Sequence, residues 1–366
     1  MKIYTFDCEI ITPLFMGGYG QKGELRTASF KGMLRWWFRA LYGGHLYSSG
    51  NQHILEELHK KEKLIFGSTD NGGIFSISLF HEKLEVTLNG VKGGKIGDNI
   101  HNHYGAYGLM ATRVNDGREF IKPGQKFTLR MVFKQHEEYI PYVVGALAAF
   151  NLWGGIGSRS TRGFGSILIS NGDFPKLFPD LAKVTGDKIE PIINNVKAEL
   201  YSIYKILSGN SSKLPEFSIV NSSHFSTKFK NTGLSDPNAV QKDFAGKLRK
   251  FRESKIQGSR SGVFHSVDYQ AVYGSEKTPH DTIFGLPHNF SSKGRANAEL
   301  KGSGNGRDRR VSPLRLKVIK AGGKYYQMLV LFEAQFLPPG DYIKGASKPL
   351  NQPGFARAKE FMKVHG

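Results

Sequence analysis

Residues 154 to 165, GGIGSRSTRGFG, carry five glycines and two arginines in twelve positions. They follow an almost chargeless apolar run, Tyr139 to Trp153, and lead into a short β-like segment, Phe164 to Ile169. A chain with this stretch must reverse tightly between a buried helix and a strand. Glycine turns the backbone through positive φ and lets another backbone come close. Arg159 and Arg162 add planar, permanently charged forks that suit phosphate, so the loop suits a nucleic-acid strand.

Other glycine-rich phosphate loops fail on spacing. A nucleoside-triphosphate loop needs Gly, four residues, Gly, then Lys and Ser or Thr, and counting on from Gly155 or Gly157 meets neither Gly nor Lys. Gly18, Gly20 and Gly23 spell a dinucleotide fingerprint, but the next helix starts near Ser29 and no acidic residue lies about 20 residues on. It reads as a chance match in a glycine-rich chain.

The order of elements around the loop is informative. Residues 2 to 11 alternate as a strand with Ile3, and Tyr4 or Phe6, on the buried side. Ser29 is an N-cap for a helix through Leu41 that Gly43 and Gly44 close. A short helix over 51–64, strands over 74–80 and 127–133, a buried helix over 139–152 and the strand at 164–169 complete the set, with 92–117 as a long loop. The order strand, helix, strand, strand, helix, strand is the ferredoxin-like βαββαβ motif. In the second half the spacing predicts strand-like alternation over 217–229 and a helix from Asp236 to Ile256. A mobile basic loop over 291–311, strands over 314–319 and 325–336, and a terminal helix near 355–364 follow. With 366 residues, at roughly 100 to 200 residues per domain, two domains are expected, 1–170 and 171–366, the second ferredoxin-like with helical insertions.

Composition narrows function. An excess of 51 Lys+Arg over 31 Asp+Glu, a net charge of +20, points to a polyanionic partner. A single cysteine, Cys8, excludes an internal disulfide framework and a cysteine-based zinc site and favours a reducing cytoplasm. No apolar stretch reaches the roughly 18 residues of a membrane span, and Asp7 and Glu9 interrupt the region where a signal peptide would be apolar. His101 and His103 lack a third ligand in sequence, and His280-Asp281 follows Pro279 in a turn. Neither H-E-x-x-H nor G-x-S-x-G occurs, so no catalytic residue, metal or cofactor is assigned. A metal-independent ribonuclease remains an alternative, because it needs only a base, an acid and a cation at no fixed spacing. A pure assembly protein is the third reading.

The pattern Gly155-Ile156-Gly157, five residues, Gly163-Phe164-Gly165 resembles the glycine-rich loop of the RAMP superfamily of CRISPR-associated RNA-binding proteins. TPLFMGG at 12–18, ELRTASFKGMLRWWFRAL at 24–41, IFGLP at 283–287 and RRVSPLRL at 309–316 make the chain similar to the Cmr subunit one family of type III-B RNA-targeting complexes. The resemblance implies a non-catalytic subunit of α+β class with two tandem ferredoxin-like domains. Its implied partners are CRISPR RNA, target RNA and other Cmr subunits, with contacts near the 3′ region of the CRISPR RNA or the matching target. On this reading Arg159 and Arg162 hold phosphates while Gly155, Gly157, Gly163 and Gly165 permit close approach. Lys31, Arg35 and Arg39, spaced by four on one helix edge, extend the track. Trp36 is available to stack on a base, and Arg309 and Arg310 follow in the second domain.

Overall fold

Phe6, Cys8 and Ile10 are buried while Thr5 and Asp7 face solvent, and this period of two makes β1 (Lys2–Ile10) one-sided. The register differs from the sequence expectation at its start, where Ile3 is exposed. A computed structural model describes every residue except 19, 21, 89–90, 93–94, 97–103, 107–108, 110–117, 209–211, 256–263, 267, 274, 291–297, 305–307 and 346–348. The elements that follow β1 are α1 (Thr27–Ser48), α2 (Ile54–Phe66), β2 (Phe75–Phe80), β3 (Lys126–Phe133), α3 (Ile140–Trp153) and β4 (Ile167–Ser170). The four strands form one antiparallel sheet in the order β2-β3-β1-β4.

Twelve of the fourteen residues of α3 are buried, which explains a helix apolar all round rather than on one stripe. One polar exception, Asn151, is buried too. Its side-chain amide donates to the Ile169 carbonyl (3.2 Å) and its oxygen accepts from the Ile169 N–H (2.9 Å), so it satisfies the β4 backbone where a further strand would otherwise be needed.

The second half contributes α4 (Ile189–Tyr204), β5 (Phe225–Leu234), α5 (Pro237–Arg252), β6 (Leu314–Ala321), β7 (Lys324–Phe332) and α6 (Ala356–His365). Its main sheet runs β6-β7-β5. One side of this sheet, through Phe225, Tyr326, Met328 and Phe332, joins the same hydrophobic cluster as α1, α3 and the first sheet. The other side, through Leu314, Leu316, Leu329 and Leu331, packs on Phe244 of α5 and Phe361 of α6. The fold is therefore mixed α+β, with the second sheet covered on both faces. No helix of the described residues is long and apolar enough to cross a membrane.

Several boundaries differ from those read in sequence. α1 does not stop at Leu41, because Gly43 and Gly44 make a groove for the chain that crosses the helix. A Cβ on Gly44 would lie 1.9 Å from the Val220 carbonyl oxygen, and the Val220 N–H donates to the Ala40 carbonyl (2.8 Å). The helix also begins before Ser29, with Arg26 as its N-cap. The extended stretch from 217 becomes a paired strand only at Phe225. Asp236 caps α5 as expected, accepting from the Asn238 N–H (2.9 Å), but the helix ends at Arg252. Part of the expected basic loop is a strand, Ala298–Gly302, paired with His288–Phe290 and Ile343–Lys344. His101, His103 and Arg113 of the long loop lie outside the described residues.

Candidate nucleic-acid interface

The glycine-rich loop is held by three other segments far away in sequence. On one side Gly165 N donates to Pro13 O (3.0 Å), Ser158 N donates to Phe15 O (2.9 Å) and the Thr12 hydroxyl donates to Gly163 O (2.7 Å). On the other, Arg162 forms a parallel bridge with Leu316 of β6, and Leu316 N donates to Thr161 O (3.0 Å). The Arg162 guanidinium Nη2 donates to the Phe284 carbonyl (2.7 Å), and Leu286 exchanges backbone hydrogen bonds with Arg310 (2.8 and 3.3 Å). TPLFMGG, the glycine loop, IFGLP and RRVSPLRL thus form one backbone unit on the seam between the two sheets.

The chain's own turns account for the four loop glycines. Gly157 has φ +87° and a Cβ there would lie 2.6 Å from Phe15 O; Gly165 has φ +62° and its Cβ would lie 1.8 Å from Ile156 O. Gly155 and Gly163 are closed in by Phe164 O at 2.8 Å and Leu316 Cδ2 at 2.7 Å. The close approach they permit is protein on protein.

The basic residues separate into two groups. Arg159 is exposed at the loop tip in a left-handed conformation, φ +58°. Arg162 is anchored to Phe284, while its Nη1 is buried with no hydrogen-bond partner. Burial above all, and then Arg252 and Arg159, lower its pKa to about 10, with Tyr104 acting the other way. Arg252, at the end of α5, bonds the Tyr104 hydroxyl and the His288 ring (2.7 Å to Nε2) beside it. Arg309 is exposed; Arg310 donates to Gln335 O (3.1 Å) and lies over the Phe336 ring, 5.9 Å to its centroid. Neither Arg162 nor Arg310 has a carboxylate partner among the described residues.

The edge of α1 is used differently. Arg39 makes a bidentate pair with Glu62 of α2 (2.5 and 2.7 Å), and Arg35 donates to Phe66 O (3.1 Å) and Gly67 O (2.7 Å) at the C-terminal end of α2. There the helix dipole and orphan carbonyls favour a cation. These two arginines fasten α2 to α1. Lys31 makes no such bond among the described residues, and burial followed by Arg35 lowers its pKa. Trp36 does not lie open: the Arg315 guanidinium covers its ring, 4.0 Å to the centroid, and Trp37 is buried.

Arg315 and Lys317 were not singled out in sequence, although both lie in or beside the RRVSPLRL motif. In LRLKVIKA the period of two puts Leu314, Leu316 and Val318 on one face and Arg315 and Lys317 on the other. That second face is covered as well, Lys317 fully and Arg315 in part. The Lys317 ammonium donates to Ile167 O (2.8 Å) and lies 5.5 Å from the Phe150 centroid, and burial pushes its pKa down to about 7. An unfolded lysine titrates near pH 10.4. Between about pH 7 and pH 10 the unfolded chain therefore binds more protons, so this residue's penalty on stability is complete below pH 7 and fades as pH rises. Replacing Lys317 by Met is expected to stabilise the protein by about 2 kcal/mol at pH 6, with the difference vanishing toward pH 10. Urea melts of both proteins across that range check it; a difference independent of pH would contradict the assignment.

Below the loop unit, Asp281 is buried against Arg357 Nε (3.1 Å), and Asp268 accepts from the Asp281 N–H (2.9 Å). Burial raises the pKa of Asp268 to about 7 and drives that of His288 well below its ordinary value. His280, in the turn, pairs with Glu276 at 3.7 Å. Among the described residues no group of three or more His, Cys, Asp or Glu is placed to hold a metal ion.

Residues 7–168, which hold the first sheet, its helices and the glycine loop, match the RAMP superfamily. A CRISPR system Cmr subunit, Cmr1-2 of Pyrococcus furiosus, is 33% identical over 192 residues, 45% of this chain and 93% of that protein. Cmr1-1 of the same organism is 28% identical over 326 residues, 86% of this chain and 82% of that one. The chain belongs to the Cmr1 family of CRISPR system Cmr subunits, within the RAMP superfamily. Its fold is that of the crystal structure of Cmr1 from P. furiosus in the apo form, with TM-score 0.60, 21% identity, and 100% and 97% of the two chains covered. A chain of the type III-B Cmr-beta complex bound to cognate target RNA also shares it, with TM-score 0.53, 17% identity and 91% and 94% covered.

Proposed function

We propose that the chain is a non-catalytic RNA-binding subunit of a type III-B Cmr effector complex in antiviral defence, working in the cytoplasm without a cofactor. Its partners in this reading are CRISPR RNA, target RNA and neighbouring Cmr subunits, with contact near the 3′ region of the CRISPR RNA or the matching target segment. The domains are 1–170 and 171–366, both ferredoxin-like. The sheet order β2-β3-β1-β4 around α1 and α3, and the order β6-β7-β5 with α5 and α6, support this: the second repeats the first without a fourth strand.

The observation that carries the RNA reading is a pair of arginines on one seam, Arg162 and Arg310, with no carboxylate partner among the described residues. Each has one buried guanidinium nitrogen lacking a hydrogen-bond partner among the described residues, and a buried charge is ordinarily paired. A phosphodiester chain supplies the missing anions, with Arg159 and Lys31 flanking and Arg309 following. Arg35, Arg39 and the loop glycines hold the surface in shape from beneath.

Incubating the full chain with end-labelled single-stranded RNA over a salt series, with and without chelator, tests the proposal. Salt-sensitive binding with intact RNA is expected. Defined cuts that persist in chelator would replace it with the metal-independent nuclease, and absence of both binding and cutting would leave assembly as the role.

A further inference from the structure

Arg315 has no role in the phosphate track described above, yet it is held between aromatic rings with no carboxylate partner among the described residues. Its guanidinium lies 4.0 Å from the centroid of Trp36 and 5.1 Å from that of Phe332. Those two rings meet edge-on, 5.3 Å apart, where α1 packs on β7. The Nε is buried with no hydrogen-bond partner, and the guanidinium makes no hydrogen bond or ion pair among the described residues. Arg310 is close enough to repel it, and burial lowers its pKa to about 10.

Stacking on two aromatic rings orients a guanidinium in one plane but leaves its donors unused. Cation–π contact does not replace the hydration lost on burial. Lys317, on the same face of β6, donates to the Ile167 carbonyl (2.8 Å), whereas Arg315 has no such acceptor among the described residues. The Arg315 side chain keeps part of its surface exposed, and Gly32, one turn before Trp36 on α1, has nothing within 4 Å of the position a Cβ would take. β6 also bridges directly to the glycine loop at Leu316, the next residue.

We infer that Arg315, held planar on Trp36 and Phe332, is a phosphodiester-binding residue for single-stranded RNA, forming with Arg310 a second phosphate subsite at the junction of the two sheets. This rests on the RNA-binding reading and extends it: the RNA crosses from the glycine loop to the second sheet, and Trp36 serves as the platform of the arginine instead of stacking on a base.

The test measures RNA affinity and its salt slope by filter binding for the full-length wild type, Arg315→Met, Arg315→Lys and Arg159→Ala/Arg162→Ala, with melting temperatures of each. Arg315→Met should bind about tenfold more weakly and lower the salt slope by about 0.7, the value for one phosphate contact on a single strand. Its melting temperature should rise, and Arg315→Lys should keep the slope while losing part of the affinity. The slope is decisive because a fraction of unfolded protein lowers apparent affinity without changing it. An unchanged slope in Arg315→Met alongside a reduced slope in Arg159→Ala/Arg162→Ala overturns this inference and leaves the general reading standing. Failure of the wild type to bind RNA overturns both. Inorganic phosphate at matched ionic strength should not raise the wild-type melting temperature; stabilisation of the wild type but not of Arg315→Met would reassign the site to a free anion.

Discussion

Gly165→Ala is expected to abolish the native state at ordinary temperature, at a cost of about 4 kcal/mol or more. The added Cβ would lie 1.8 Å from the Ile156 carbonyl oxygen, and φ at +62° is itself unfavourable for alanine. Neither partner can yield. The Ile156 N–H already donates to Gly165 O (3.0 Å), and the Gly165 N–H donates to Pro13 O (3.0 Å), so relief of the clash would break the link between the amino-terminal segment and the loop. Gly246→Ala makes the control. It lies inside α5 with nothing within 4 Å of a Cβ, and alanine there should stabilise by about 1 kcal/mol. Urea midpoints of the two variants separate the cases; a folded Gly165→Ala of wild-type stability would refute the close contact.

Arg159→Ala/Arg162→Ala is expected to leave the fold intact and weaken RNA binding about a hundredfold, taking about 1.5 kcal/mol for each charge-assisted phosphate contact. The salt slope should fall by about 1.4, two contacts at about 0.7 each. The single variants are not equivalent. Arg162 is already fixed to Phe284 O (2.7 Å), so its side chain reaches an anion with little further ordering, whereas Arg159 stands exposed at the loop tip. Arg162→Ala should therefore account for the larger share of the lost affinity. A fluorescence or filter titration at two salt concentrations is sufficient, and equal affinity with an intact circular-dichroism spectrum would remove the glycine loop from the interface.

The segments that frame the candidate interface were legible in sequence because they are the motifs themselves. TPLFMGG, the glycine loop, IFGLP and RRVSPLRL were picked out separately, and hydrogen bonds at Pro13, Phe15, Phe284 and Leu286 tie them together. Elsewhere a residue type has two uses, and only the fold shows which partner it meets. Gly43 and Gly44 have the composition of a helix stop, yet they make room for Val220 across a continuing helix. Arg35 and Arg39 have the spacing of a phosphate-binding edge, but Glu62 and the end of α2 lie 23 to 32 residues away in sequence, and no local pattern announces that pairing.

By itself the chain's sequence determined the first sheet and its helices: a period of two in β1 and β3, an apolar run too long and too uniform for a strand in α3, and a glycine-rich reversal after it. These are local rules, carried by sterics and by the burial pattern of neighbouring residues. Tertiary structure alone decided what the second face of β6 does. Alternation marks Arg315 and Lys317 as the polar side of a strand, and in a sheet with one wet face they would sit in water. The packing of α1 and α3 onto that face buries Lys317 and part of Arg315 with no carboxylate partner among the described residues, leaving the two cations on Trp36, Phe150 and the neighbouring strand's Phe332. Burial is a property of what covers a residue, and what covers these two comes from helices more than 160 positions earlier in the chain.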